Sequence, residues 1–148
     1  MTTGVGEAHN EASIRALIDA QIRAVRARDV DASMSNYAAD IVSFDVVNTL
    51  QKIGLEECRK RAEEWFSSFQ GPIEYEISEL SVSAGDTLAF SHSLNHVNAT
   101  NNEGKKIDMW WRATAGYRKI DHRWMITHEH MSVPFDAESG KALLDLKP

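Results

Sequence analysis

Apolar residues recur at helical spacing early in the chain and at alternating spacing through its second half, and the change of period marks out the elements. Ile14, Leu17, Ile18, Ile22 and Val25 form one stripe, with Arg15, Asp19, Arg23 and Arg26 off it, which predicts an amphipathic helix over 11–28 with Asn10 as N-cap. Residues 1–10 hold two glycines and no period, and read as a flexible arm. Asp29 is a second N-cap, and Val30, Met34 and Tyr37 continue a short helix to about residue 38. Residues 41–47 alternate and form a first strand. From Gly54 the period is helical again: Leu55, Cys58, Ala62, Trp65 and Phe69 share a face, Arg59, Lys60 and Arg61 make a solvated edge, and Gly71-Pro72 is the stop. Four long strands follow, at 73–82, 88–98, 107–119 and 123–133, with turns at Gly85-Asp86, 101–104 and Asp121-His122.

Helices first and a sheet second, with short connections between strands, make this an α+β chain whose sequential strands pair antiparallel. Its 148 residues suit one domain, spanning 11–136, and leave a tail at 137–148 in which Ala142, Leu143, Leu144 and Leu146 can dock as a short helix or strap. The strand at 107–119 carries Trp111 on one face and Trp110 on the other. Three helices cover only one face of a sheet, so the second points to a homodimer through the outer face.

Charge and cysteine content narrow the partners. Sixteen Lys and Arg against 22 Asp and Glu give a net charge of −6, which offers no general attraction to nucleic acid or anionic membranes. The single Cys58 permits no internal disulfide and sits among apolar positions as an inert packing residue. No apolar run approaches the roughly 20 residues of a membrane span, and the first ten residues do not read as a signal peptide, so a cytoplasmic protein is expected.

In the final strand Trp124, Ile126, His128, His130 and Ser132 alternate with Met125, Thr127, Glu129, Met131 and Val133, and Pro134 closes it. A strand of the form Trp-x-Ile-x-His-x-His-x-Ser, ending a chain with this order of elements, resembles the nuclear transport factor two-like superfamily. Within it, the chain is similar to the SnoaL-like and ketosteroid isomerase-like branch and to the association domain of calmodulin-dependent kinase. The resemblance runs from about Glu11 to Asp136. It implies a curved, cone-shaped sheet wrapped around three N-terminal helices, one pocket, and pairing through the outer sheet. It does not imply one activity, since this fold hosts isomerases, cyclases, dehydratases and assembly modules.

The segment from Tyr37 to Asp45 is similar to the one carrying the catalytic Asp in ketosteroid isomerases, and Asp45 takes that place. A desolvated carboxylate there would have a raised pKa and could move a proton beside a carbonyl; the alternative is a turn-forming Asp. By the same resemblance the family's oxyanion Tyr falls near Gln21 and its protonated Asp near Arg112 or Ala113, which argues against a strict steroid isomerase. Arg112 could stabilise an enolate, carboxylate or phosphate, or pair with Asp45 or Glu129. His92, read as facing inward, and His130 complete the catalytic candidates, and Tyr37, Trp65, Phe69, Trp110, His128 and Glu129 are the expected pocket lining. His128 and His130 at i and i+2 could share a metal ion, but they are an incomplete ligand set, so no metal is expected. Nor is a cofactor: the chain has no Gly-rich phosphate loop, nucleophile elbow or Cys-x-x-Cys pair. Two functions are compatible with these residues: a cofactor-independent isomerase-, cyclase- or dehydratase-type enzyme acting on a small carbonyl compound, and a non-catalytic ligand-binding or association module.

Overall fold

The computed structural model describes residues 4–148, with side chains from residue 6 onward. Helix α1 spans Gly4–Ala27 and buries Ile14, Leu17, Ile18 and Ala24. Its first turns occupy most of the stretch expected to be a flexible arm, and Met1 to Thr3 lie outside the described residues. Asn10 is therefore inside the helix and not its cap. Its side chain donates to the Gly85 carbonyl at 2.9 Å and accepts from Lys119 Nζ at 2.9 Å, tying the helix to two strand ends.

Asp29 caps α2 (Val30–Met34) by accepting the Ala32 N–H at 3.0 Å. The chain enters β1 (Tyr37–Phe44) earlier than the alternation at 41–47 suggested, because Asn36 already accepts the Ile126 N–H at 2.7 Å and draws Tyr37 into pairing. The two-residue β2 (Lys52–Ile53) folds back on Val42 and Ser43. Helix α3 (Leu55–Ser67) starts after Gly54, whose φ of 93° suits glycine, and ends before Gly71-Pro72. That dipeptide lies within β3 (Phe69–Ala84), where the register breaks between Gln70 and Glu74. Since β3 is the last strand of the sheet, a proline there costs no ladder bond. Strands β4 (Leu88–Asn101), β5 (Lys106–Ile120) and β6 (Arg123–Ser132) complete the fold. Asp121 and His122, both at positive φ, make the tight turn between the last two.

The sheet has the order β2-β1-β6-β5-β4-β3. It is mixed, since β1 runs parallel to β6 and every other pair is antiparallel. Breaks in register within β3 and between β5 and β6 bend the strands, as an unpaired extra residue does, and the sheet curls around the helices without closing. Two apolar clusters fill the concave side. One joins Ile14, Ile18, Met34, Ile41, Tyr117 and Ile126, and the other joins Phe66, Phe69, Ile73, Tyr75 and Val97.

One of these breaks decides which side chains of β6 face inward. Gly116 pairs with His128 and Tyr117 with Ile126, so Thr127 is an extra residue opposite no partner, its hydroxyl donating to the Gly116 carbonyl at 3.4 Å. Trp124 and Ile126 belong to the buried core, and past the bulge the inward positions become Glu129 and Met131. The single alternating face running from Trp124 to Ser132 that regular pleating predicts is thereby broken, and His128 and His130 turn outward.

Beyond β6 the tail folds back as a short hairpin. Phe135 bridges to Ala142, and the Pro134 carbonyl accepts the Leu143 N–H at 2.8 Å. Among the described residues no helix is long and apolar enough to cross a membrane.

Candidate functional site

Between the helices and the concave face of the sheet lies a cavity of about 320 Å³. Trp65 and Phe66 of α3, Tyr75 of β3, and Met109 and Trp111 of β5 form an aromatic and apolar part of its wall. The Trp65 and Trp111 rings meet edge to face at 6.2 Å, and Tyr75 stacks on Trp111 at 6.0 Å. Several polar groups of β3, β4 and β5 on this wall pair with one another: Asn95 donates to the Tyr75 hydroxyl at 2.9 Å and accepts from Ser93 at 2.7 Å, and Ser91 and Tyr117 share a bond of 2.9 Å.

Glu129 is a half-buried acid of the cavity. Its Oε2 accepts from the Tyr37 hydroxyl at 2.7 Å and its Oε1 from Ser43 at 3.0 Å. The parallel pairing of β1 with β6 sets Ser43 directly opposite Glu129, so the second bond follows from register. Burial pushes the Glu129 carboxyl above its ordinary value, and the two hydroxyl bonds, which favour the anion, do not cancel that effect. Burial likewise raises the Tyr37 phenol well above its usual value, with the charge of Glu129 adding to it. Cys58, also on the cavity, is pushed up to about 11 by burial and then by Glu129, so it stays a thiol near neutral pH.

Asp45 sits where β1 gives way to the loop before β2, and it too lines the cavity. Its Oδ1 accepts the Val46 N–H at 2.6 Å, while its Oδ2 receives Arg61 Nε at 2.8 Å and Lys52 Nζ at 3.3 Å. Burial alone would raise its pKa. The bond and charge of Arg61, the Val46 amide and Lys52 together outweigh burial and hold Asp45 below the ordinary carboxylate value. The raised pKa expected for a desolvated Asp45 is thus reversed by two cations that the sequence reading left unpaired with it.

The cavity brings together Tyr37, Asp45, Trp65 and Glu129 from the residues singled out in the sequence. Phe69 packs in the core beside it, against Trp65 at 5.5 Å, without lining it. The others lie on the outer face. The inward residues of β4 are the small set Ser91, Ser93, Asn95 and Val97, which puts His92 on the exposed side, opposite to the expected orientation. Arg112 is exposed and donates to Ser132 at 3.0 Å, and it pairs with neither Asp45 nor Glu129. Trp110 stacks flat on His96 at 4.3 Å, and His96 is held between Glu76 at 2.8 Å and Asp108 at 2.5 Å. His128 bonds through Nδ1 to the Val42 carbonyl at 2.7 Å, and both it and the exposed His130 meet Phe44 edge to face. Each ring of that histidine pair therefore has a packing role against β1.

Sequence reasoning passed over Lys52 and Ser43, and met Gln21 only as the place where the family's oxyanion Tyr falls. It placed Arg61 in a solvated run, although the helical period that puts Cys58, Ala62 and Trp65 inward brings position 61 to the edge of the same face. Gln21 stands out differently: its Oε1 is buried with no hydrogen-bond partner among the described residues, and so is the Trp111 indole nitrogen, both residues lining the cavity. Unpaired buried polar atoms are costly, and a ligand inside the cavity is one way to satisfy them.

The family model for the SnoaL-like domain matches residues 14–136. Among solved structures the chain is similar to an NTF2-like protein of unknown function from Pseudomonas putida KT2440, at 39% identity and a TM-score of 0.87, over 95% of this chain and 98% of that one. A ketosteroid isomerase-like protein from Erwinia carotovora atroseptica SCRI1043 is 22% identical with a TM-score of 0.70, over 83% of this chain and 95% of that one. A candidate dehydratase of the NTF2-like family from Streptomyces avermitilis is 12% identical with a TM-score of 0.76, over 87% and 99%. These last two share the fold. None of the curated proteins compared with the chain matches it. The match over nearly the whole folded region, together with helices cradled by an open, curled, mixed sheet, shows that the chain belongs to the SnoaL-like family, within the NTF2-like group.

Proposed function

We propose that the protein is a cofactor-independent enzyme that transfers protons on a small, largely apolar carbonyl compound held in the cavity, with Glu129 as the group that takes and returns the proton. The observation that carries this reading is a half-buried carboxylate on the cavity wall, hydrogen-bonded by Tyr37 and Ser43 and raised by burial above its ordinary value. A base near the operating pH abstracts a proton and redelivers it with the least mismatch, which is the condition for isomerisation or elimination next to a carbonyl. Tyr37 and Ser43 orient the carboxylate, and the unpaired indole N–H of Trp111 supplies a group able to donate to the substrate carbonyl as negative charge develops there. Asp45 is assigned the role of holding Arg61 and Lys52 in place, because an acid already gripped by two cations is a weak base.

The test is hydrogen exchange at carbon. The full chain is incubated in deuterated buffer with a cyclic ketone such as 2-tetralone, and deuterium entry beside the carbonyl is followed by proton NMR. Wild-type protein is expected to accelerate exchange over buffer, and Glu129→Gln to lose about 10² to 10⁴ of that rate, the range of a lost general base. Equal exchange by the two proteins would overturn the assignment.

We also infer that two copies pair through the outer face of the sheet. Phe90, half exposed, and Leu94 on β4, with Trp110 on β5, put apolar surface on the side the helices leave uncovered.

A further inference from the structure

Charge in the cluster around Asp45 on the cavity wall does not balance. Lys52 and Arg61 both reach the same oxygen of Asp45, at 3.3 and 2.8 Å, while the other oxygen is taken by the Val46 amide. Two cations therefore share one carboxylate, leaving one unit of positive charge in this cluster. Among the described residues the terminal guanidinium nitrogens of Arg61 meet no acceptor, since its one bond leaves through Nε. Glu129 contacts neither cation, since its two oxygens accept from Tyr37 and Ser43. Nor is this charge freely solvated: the side chains of Lys52 and Arg61 keep only 12% and 28% of their exposure, so an anion arriving there meets a cation already stripped of much of its water.

The same cavity presents flat surfaces at Trp65, Tyr75 and Trp111 and an unpaired carboxamide oxygen at Gln21. We infer that its substrate is a small cyclic or aromatic monocarboxylate, whose ring lies among those aromatic side chains and whose carboxylate meets Arg61 and Lys52. A guanidinium with free terminal nitrogens presents parallel donors that match a carboxylate. One surplus charge matches a monoanion, and a phosphate near a charge of −2 would leave an excess in a confined site. The inference rests on reading this cavity as the reaction site, and it adds that the carbonyl compound is itself an acid.

The experiment measures binding and is independent of proton transfer, since neither probe has a carbon acid. Calorimetry on the full chain compares 2-naphthoate with its neutral isostere 2-naphthamide. Wild-type protein is expected to bind the carboxylate about tenfold or more tightly than the amide, the equivalent of about 1.4 kcal/mol. Arg61→Gln and Lys52→Gln should each reduce that preference while leaving amide affinity nearly unchanged, and Arg61→Lys, which keeps the charge, should retain most of it. Circular dichroism checks that each variant is folded, and Lys52→Gln with Arg61→Lys carries the comparison if Arg61→Gln is not. Equal binding of the two probes, failure of wild type to bind naphthoate at millimolar concentration, or a preference that survives both Gln substitutions would overturn the inference. Carboxylate selectivity without ketone exchange would sink the role of Glu129 and leave the anion site standing, and the converse result would do the opposite.

Discussion

Glu129 and Asp45 lie on one cavity, yet their surroundings push them in opposite directions. Around Glu129 there are hydroxyls and apolar walls, so desolvation prevails; around Asp45 there are two cations and an amide, so the charged form prevails. The chemistry of each follows from that difference, one suited to exchange a proton and the other to stay ionised. Asp45→Asn should accordingly lower stability by roughly 1–3 kcal/mol at neutral pH, because it leaves Arg61 and Lys52 without their anion. The pH dependence has a definite sign. A carboxylate whose folded pKa is depressed stabilises the fold above its unfolded value, here 3.8, and that contribution fades as pH falls through the folded value. The stability gap between wild type and Asp45→Asn, measured by chemical denaturation, should therefore be full near neutrality and close in acid. A variant as stable as wild type at neutral pH would contradict the ion-pair role.

At the scale of elements, the periods of the chain were enough to foresee the three helices, the four long strands and the α+β class, because each buries a face and burial is written in the spacing. What spacing does not carry is a break in the pleat. Thr127 adds one residue to β6, and that shift exchanges the inward set, so the acid at 129 enters the cavity while the histidines at 128 and 130 leave it. The small residues of β4 misled for a related reason: Ser91, Ser93 and Asn95 look like a solvent face but are paired with Tyr75, Tyr117 and each other inside the cavity, leaving His92 outside. Lys52 was out of reach for local reasoning, since it depends on a two-residue strand, and the partnership of Arg61 with Asp45 joins positions brought together only by the tertiary fold. Glu129 was visible as a titratable residue in a central strand, whereas its partners Tyr37 and Ser43 follow from the parallel pairing of β1 with β6.

For the whole molecule, a sheet with helices on one side has a second face to account for. Phe90 is 51% exposed there, Leu94 lies on the same face further along β4, and Trp110 stacks on His96. Sedimentation or light scattering at micromolar concentration should find twice the 16.6 kDa of one chain, and Phe90→Glu with Leu94→Glu should return the monomer. A wild-type monomer under those conditions would rule out pairing at that strength. The pocket lies on the opposite, concave side, so each copy keeps its own cavity and the proton-transfer role of Glu129 does not depend on assembly. That role is tested most directly by titrating Glu129 itself, following its carboxyl carbon by NMR in selectively labelled protein and assigning the signal by its loss in Glu129→Gln. A midpoint clearly above the ordinary 4.5 is the predicted result, and a midpoint at or below 4.5 would contradict it.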